Sequence, residues 1–164
     1  LAIDPTTTAG PLVAERQVKV LEIQVEDARS KGATILVGGK RPMSVNGAYY
    51  EPTLITNITK DMLVWTEEVF GPVLPIITFE TEEEAIELAN DTKYGLGAFV
   101  FTTDKAKMQR VAAQLQSGMV SQNNLSYIKP CDPFGGYKQS GIGREHGKYG
   151  FEDVTQVKVV ASEK

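Results

Sequence analysis

The sequence is poor in residues that staple, clip or anchor a chain. It has one cysteine, Cys131, and one histidine, His146. A single cysteine excludes an internal disulfide and suits a reducing compartment, so a cytoplasmic location is expected. A single histidine excludes a histidine-based metal cluster, and no metal site is expected. No apolar run approaches the roughly 18 residues that a membrane helix needs. The N-terminus lacks a basic stretch followed by an apolar one, so no secretory leader is expected. Cations do not dominate: 17 Lys and Arg stand against 21 Asp and Glu, a net charge of −4. That balance gives no electrostatic footprint for nucleic acid. Internal repeats, low-complexity tracts and a linker are also missing. The first residue is Leu1 rather than Met, which points to a fragment.

What is present is ordinary for a globular chain: 164 residues, 41% hydrophobic and 23% charged. Such a chain can bury a real core. Pro11 suits a first helical turn. Ala14, Val18, Leu21, Val25 and Ala28 follow at helical spacing, and Gly32 can end that helix. Ala33 to Val37 reads as a strand, and Tyr49 to Thr56 as a second, irregular at Pro52. Val73 to Phe79 is nearly all apolar, as in a strand covered on both faces. Thr81 with Glu84 forms a capping box for a helix whose acidic start, Glu80 to Glu84, complements the helix dipole. Gly97 to Phe101 is a strand, Asp104 caps the next helix, Gly118 ends it, and Met119 to Gln122 is a strand. Asp153 to Val160 alternates and closes the chain as a strand. The alternation predicts an α/β fold with a largely parallel open sheet flanked by helices.

The most informative stretch is Pro133-Phe134-Gly135-Gly136-Tyr137-Lys138-Gln139-Ser140-Gly141-Ile142-Gly143-Arg144-Glu145-His146-Gly147, with five glycines. Glycine has no Cβ and reaches positive φ cheaply, so such a run can pass close to a ligand or another backbone. A Phe, an Arg and a Glu set among the glycines favour a site-forming loop over a plain surface turn.

Three stretches together resemble the C-terminal half of the aldehyde dehydrogenase superfamily: Glu67-Glu68-Val69-Phe70-Gly71-Pro72, Asn123 with its following loop, and the Pro133 to Gly147 run. Asp4 to Leu12 is similar to the family segment that precedes them. The resemblance implies part of the catalytic domain of an enzyme that oxidises an aldehyde to a carboxylic acid with NAD or NADP. In that family a cysteine thiolate attacks the aldehyde, hydride passes to the nicotinamide, and a base activates water to hydrolyse the thioester. The nucleophile's G-Q-x-C motif and the dinucleotide-binding domain are not present here. Residues 1–152 are therefore expected to be a partial catalytic domain, and 153–164 an oligomerisation strand and tail. The chain alone is expected to be inactive.

Carried over residue by residue, Glu68 corresponds to the glutamate that holds the nicotinamide ribose, and Phe70 to a residue packing beside the nicotinamide. Phe134 corresponds to an aromatic lining the inner active site. Glu145 corresponds to a carboxylate proposed to relay protons; the alternative is a structural acid bonding backbone N–H groups or Arg144. Lys138, Ser140 and Arg144 read as architectural. Asn123 reads as bonding the loop backbone. Tyr127 to Cys131 borders the substrate tunnel, where Ile128 would line it. Cys131 lacks the nucleophile's motif, and Asp132 would oppose a thiolate. His146 is expected to be exposed. The expected partners are a small-molecule aldehyde and further copies of the chain, with no nucleic acid and no membrane. The alternative of another class is a non-catalytic, self-associating module that retains the family fold.

Overall fold

A computed structural model describes residues 4–43, 45–125 and 128–163. The chain is α/β and divides into two compact units, Leu1–Thr78 and Phe79–Lys164. No helix among the described residues is long and apolar enough to cross a membrane.

The first unit is built on α1 (Glu15–Ser30), with β1 (Thr34–Val37), β2 (Thr53–Thr56), α2 (Leu63–Thr66) and β3 (Val73–Pro75). Val18, Leu21, Val25 and Ala28 repeat at helical spacing, and all four are buried. They pack with Ile55, Met62, Val64 and Val73 into one core. Fully burying such side chains is worth about 1.5–3 kcal/mol each. The helix stops where Gly32 takes φ +96°. Ala33 N–H then bonds the Ala28 carbonyl at 2.9 Å, and Gly32 N–H the Arg29 carbonyl at 3.1 Å, the Schellman pattern of a helix end.

β1 pairs β2 antiparallel, with a register shift between Ile35 and Val37, and β2 pairs β3 parallel. Three expectations need correction here. Pro11 lies outside α1, and the amide of Leu12 beside it is committed to the Ala48 carbonyl at 2.8 Å. The second strand begins only at Thr53, because Pro52 has no N–H to give to a ladder. The apolar run from Val73 stays a strand only to Pro75, and it is not covered on both faces: Leu74 is 58% and Phe79 57% exposed.

The second unit contains α3 (Glu82–Asn90), β4 (Tyr94–Gly95), β5 (Gly97–Val100), α4 (Lys105–Gln114), β6 (Met119–Gln122), β7 (Tyr137–Lys138) and α5 (Gly147–Asp153). β5 and β6 pair in parallel across α4, and β4 pairs β7 antiparallel. Strand pairing is thus shared among three small sheets. Both expected N-caps form, but the capping box is only half made. Thr81 Oγ1 accepts from Glu84 N–H at 3.1 Å, and Asp104 Oδ1 accepts from Ala106 and Lys107 N–H at 2.8 and 3.0 Å. The Glu84 carboxylate reaches back to Glu80 N–H, at 2.7 Å, rather than to the cap residue. α4 ends at Gln114, short of Gly118. Glu82 and Arg110 form a two-pronged pair at 2.6 and 2.8 Å between α3 and α4.

The closing strand expected over Asp153 to Val160 does not form among the described residues. Asp153 ends α5, and the segment after it has no ladder partner. A strand exists through its neighbours' hydrogen bonds, and alternation alone does not supply them.

Candidate functional site

The first unit holds Glu68 and Phe70 on an irregular strip between α2 and β3. Both side chains are exposed, Phe70 by 66%. The main chain under them is fixed by α1. Four side chains along one flank of that helix bond main-chain groups of residues 61–70 in antiparallel order. Lys31 Nζ donates to the Asp61 carbonyl at 2.5 Å. Asp27 Oδ2 accepts from Leu63 N–H at 2.7 Å. Gln24 Nε2 donates to the Glu68 carbonyl at 3.1 Å, and Gln17 Nε2 to the Phe70 carbonyl at 3.0 Å. Gly71 completes the seat: a Cβ there would overlap the buried Leu21 side chain. The Leu63 amide, followed by Lys31, holds the Asp27 carboxyl below its ordinary range. None of these four residues was picked out from the sequence. The available signal was their spacing beside the apolar stripe of α1.

The second unit holds Phe134 and Glu145, and the structure brings this pair together. Their main chains exchange two hydrogen bonds, Phe134 N–H to the Glu145 carbonyl at 2.8 Å and Glu145 N–H to the Phe134 carbonyl at 2.7 Å. Phe134 is half-buried and Glu145 exposed. The His146 ring lies 5.9 Å from the Phe134 ring, tilted by 43°, and the residue is exposed as expected. The glycines are where backbone meets backbone. A Cβ at Gly118 would overlap the Gly135 carbonyl oxygen, and one at Gly135 would overlap the Gly143 carbonyl oxygen.

Lys138, Ser140 and Arg144 are engaged in holding the loop. Lys138 sits at φ +53° and donates to the carbonyls of Asn90 and Thr92 at 2.7 and 3.0 Å. Ser140 Oγ accepts from Gly95 N–H at 3.0 Å. Arg144 Nη1 donates to the Gly136 and Gly143 carbonyls at 3.0 and 2.7 Å. Asn123 bonds a different segment from the one expected. Its amide takes Thr102 N–H at 2.8 Å and gives to the Thr102 carbonyl at 2.7 Å, tying β6 to the turn after β5. Cys131 is exposed, with Sγ 3.6 Å from the Asp132 carboxylate. Ile128 is 59% exposed. Tyr127 lies outside the described residues.

The α/β units, the carboxylate and aromatic side chain seated by α1, and the glycine-packed loop define a class. The chain belongs to the aldehyde dehydrogenase family, whose model matches residues 2–160. Among its relatives is the mitochondrial succinate-semialdehyde dehydrogenase of Mus musculus, 49% identical over 94% of this chain and 29% of that protein. The peroxisomal aminoaldehyde dehydrogenase 1 of Pisum sativum is also 49% identical, over 92% of this chain and 30% of that protein. Betaine aldehyde dehydrogenase from Staphylococcus aureus, solved in complex with NAD+, superposes with a TM-score of 0.87 at 48% identity, over 92% of this chain and 30% of that one. An aldehyde dehydrogenase from Mycobacterium tuberculosis complexed with NAD+ gives 0.89 at 42% identity, over 93% of this chain and 32% of that one. The chain therefore spans under a third of the length of these relatives.

Proposed function

We propose that this chain is a segment of an enzyme that oxidises an aldehyde to a carboxylic acid through a cysteine thioester, with NAD or NADP as the hydride acceptor. The observation that carries the reading is Glu68. Its carboxylate is exposed and makes no bond among the described residues, while its main chain is held by a buried amide. A free carboxylate on a fixed backbone fits a vicinal diol, since it can accept from both hydroxyls of a ribose. Phe70, two residues on and exposed, offers an apolar face for a planar nicotinamide. In the loop, Phe134 supplies an apolar wall for the aldehyde, and Ile128 a second one nearer the mouth. Glu145 is tied to Phe134 through the main chain and keeps its carboxylate in water, where it can pass a proton to bulk solvent. The single exposed cysteine favours a reducing compartment such as the cytoplasm; the relatives named mitochondrial and peroxisomal mark the other outcomes of a fractionation experiment.

The test is made on the complete reading frame that carries this chain, assayed for aldehyde-dependent NADH or NADPH formation. Glu68→Gln should raise KM for the nucleotide roughly tenfold, as expected for loss of a charge-assisted hydrogen bond, with the KM for aldehyde little changed. Unaltered nucleotide affinity in that variant would remove the reading. The second reading, a self-associating module without turnover, is supported by the tail: Val154, Val157, Val159 and Val160 are each more than 80% exposed.

A further inference from the structure

We propose that Gln24 is a positioning residue for the nucleotide site: from inside the core, it sets the main chain that aims the Glu68 carboxylate. The inference rests on the nucleotide reading of Glu68 given above. Gln24 is 4% exposed and sits among the apolar residues of α1. Its Nε2 donates to the Glu68 carbonyl at 3.1 Å, across 44 residues of sequence. Among the described residues its Oε1 is buried without a hydrogen-bond partner.

A buried amide with one unpaired end is a poor choice for stability. The unsatisfied oxygen costs more than an apolar side chain of the same size would. The Glu68 carbonyl belongs to a residue exposed overall, and the bond to it is only part-buried, so losing the donor costs less than it would in a sealed core. Stability alone therefore favours methionine or leucine at position 24. What the amide adds is direction: it pins one carbonyl next to a carboxylate that must meet two hydroxyls at fixed distances. The neighbouring fixtures agree with this. The Asp27 carboxylate holds Leu63 N–H upstream, and Gly71 seats against Leu21 downstream. Between them, Gln24 bonds the Glu68 main chain directly, from a buried side chain.

The experiment uses Gln24→Met, Glu68→Gln and the double variant in the complete polypeptide that carries this chain. It reads melting temperature, Kd for NAD+ and NADP+ by fluorescence titration, and KM for nucleotide and aldehyde separately. The expected result is a folded Gln24→Met protein with unchanged or higher melting temperature. Its nucleotide Kd and KM should be five- to tenfold weaker, a shift on the scale of one hydrogen bond, and its aldehyde KM unchanged. In the double variant the two losses should not add, because both act through one contact. Unchanged nucleotide Kd in folded Gln24→Met, or full additivity with Glu68→Gln, overturns the proposal while leaving the nucleotide reading standing. Unchanged Kd in Glu68→Gln overturns the nucleotide reading and this inference with it. If Gln24→Met does not fold, Gln24→Asn, whose amide is one carbon shorter, is read by the same two criteria.

Discussion

Asp27 shows how much a single side chain can do and how little of it is visible in one dimension. Its carboxylate accepts from Leu63 N–H, 36 residues away, and pairs with Lys31 at 2.9 Å. Both interactions favour the charged form, so the folded pKa lies below the ordinary 3.8. A depressed carboxylate contributes stability that is fully present above the unfolded value and is lost as pH falls through the folded one. The urea midpoint of the protein should therefore stay level from about pH 7 to about pH 5 and drop below about pH 4, and Asp27→Asn should drop less steeply in that acid range. Parallel curves for the two proteins would show that the Leu63 contact carries no linkage. Asp4, Asp61 and Asp104 are also lowered by hydrogen bonds, so the comparison is between variant and parent, not the slope itself. Thr81 and Asp104 could be read as caps because a cap bonds two or three residues ahead. Asp27 and Gln24 could not, since nothing local marks a polar side chain whose partner is brought in by the fold. Glu68 and Phe70 stood out only because their motif resembles a family's; Phe134 and Glu145 were visible as a Phe and a Glu set among the loop's glycines, and the resemblance gave them roles.

Elements were legible where they were long or strictly patterned. α1 shows four buried residues at helical spacing, and β6 runs from Met119 to Gln122 as expected. β4 and β7 are two residues each, too short for any period to register. α5 was hidden because it contains Gly147 and Gly150, and glycine costs about 1 kcal/mol per position in a helix. The glycine run was read as a loop able to approach something closely, and what it approaches is its own unit. Gly118, immediately before β6, stacks on Gly135. Backbone against backbone cannot yield as a side chain can, so Gly118→Ala should destabilise by about 1–3 kcal/mol or more, the cost of overpacking a closed contact. Lower melting temperature and faster proteolysis between Phe134 and Glu145 are the measurements. Gly10→Ala, where an added Cβ meets nothing within 4 Å, is the matched control and should be neutral. Equal behaviour of the two variants would mean that the loop is not seated on β6.

At the scale of the whole chain the notable quantity is apolar surface. Phe79, Phe101, Val154, Val157, Val159 and Val160 are exposed by 57, 71, 81, 99, 87 and 85%. Scattered exposed apolar residues are normal, but a run of them on one short segment marks an association surface. Val157 and Val159 are two residues apart, so in an extended backbone they share a face. An unpaired extended segment offers its N–H and C=O groups to whatever strand comes next. The 164-residue chain should therefore self-associate with rising concentration in sedimentation velocity. Val157→Lys with Val159→Lys should return it toward monomer without lowering its melting temperature, because neither side chain is buried in the unit. The same chain should show no aldehyde oxidation whether monomeric or associated. Its one thiol, Cys131, is exposed and lies outside the G-Q-x-C motif that the family's nucleophile occupies. Turnover that vanished in Cys131→Ser would overturn that expectation. Association unaffected by the two lysines would move the contact surface to the phenylalanines around α3 and β5.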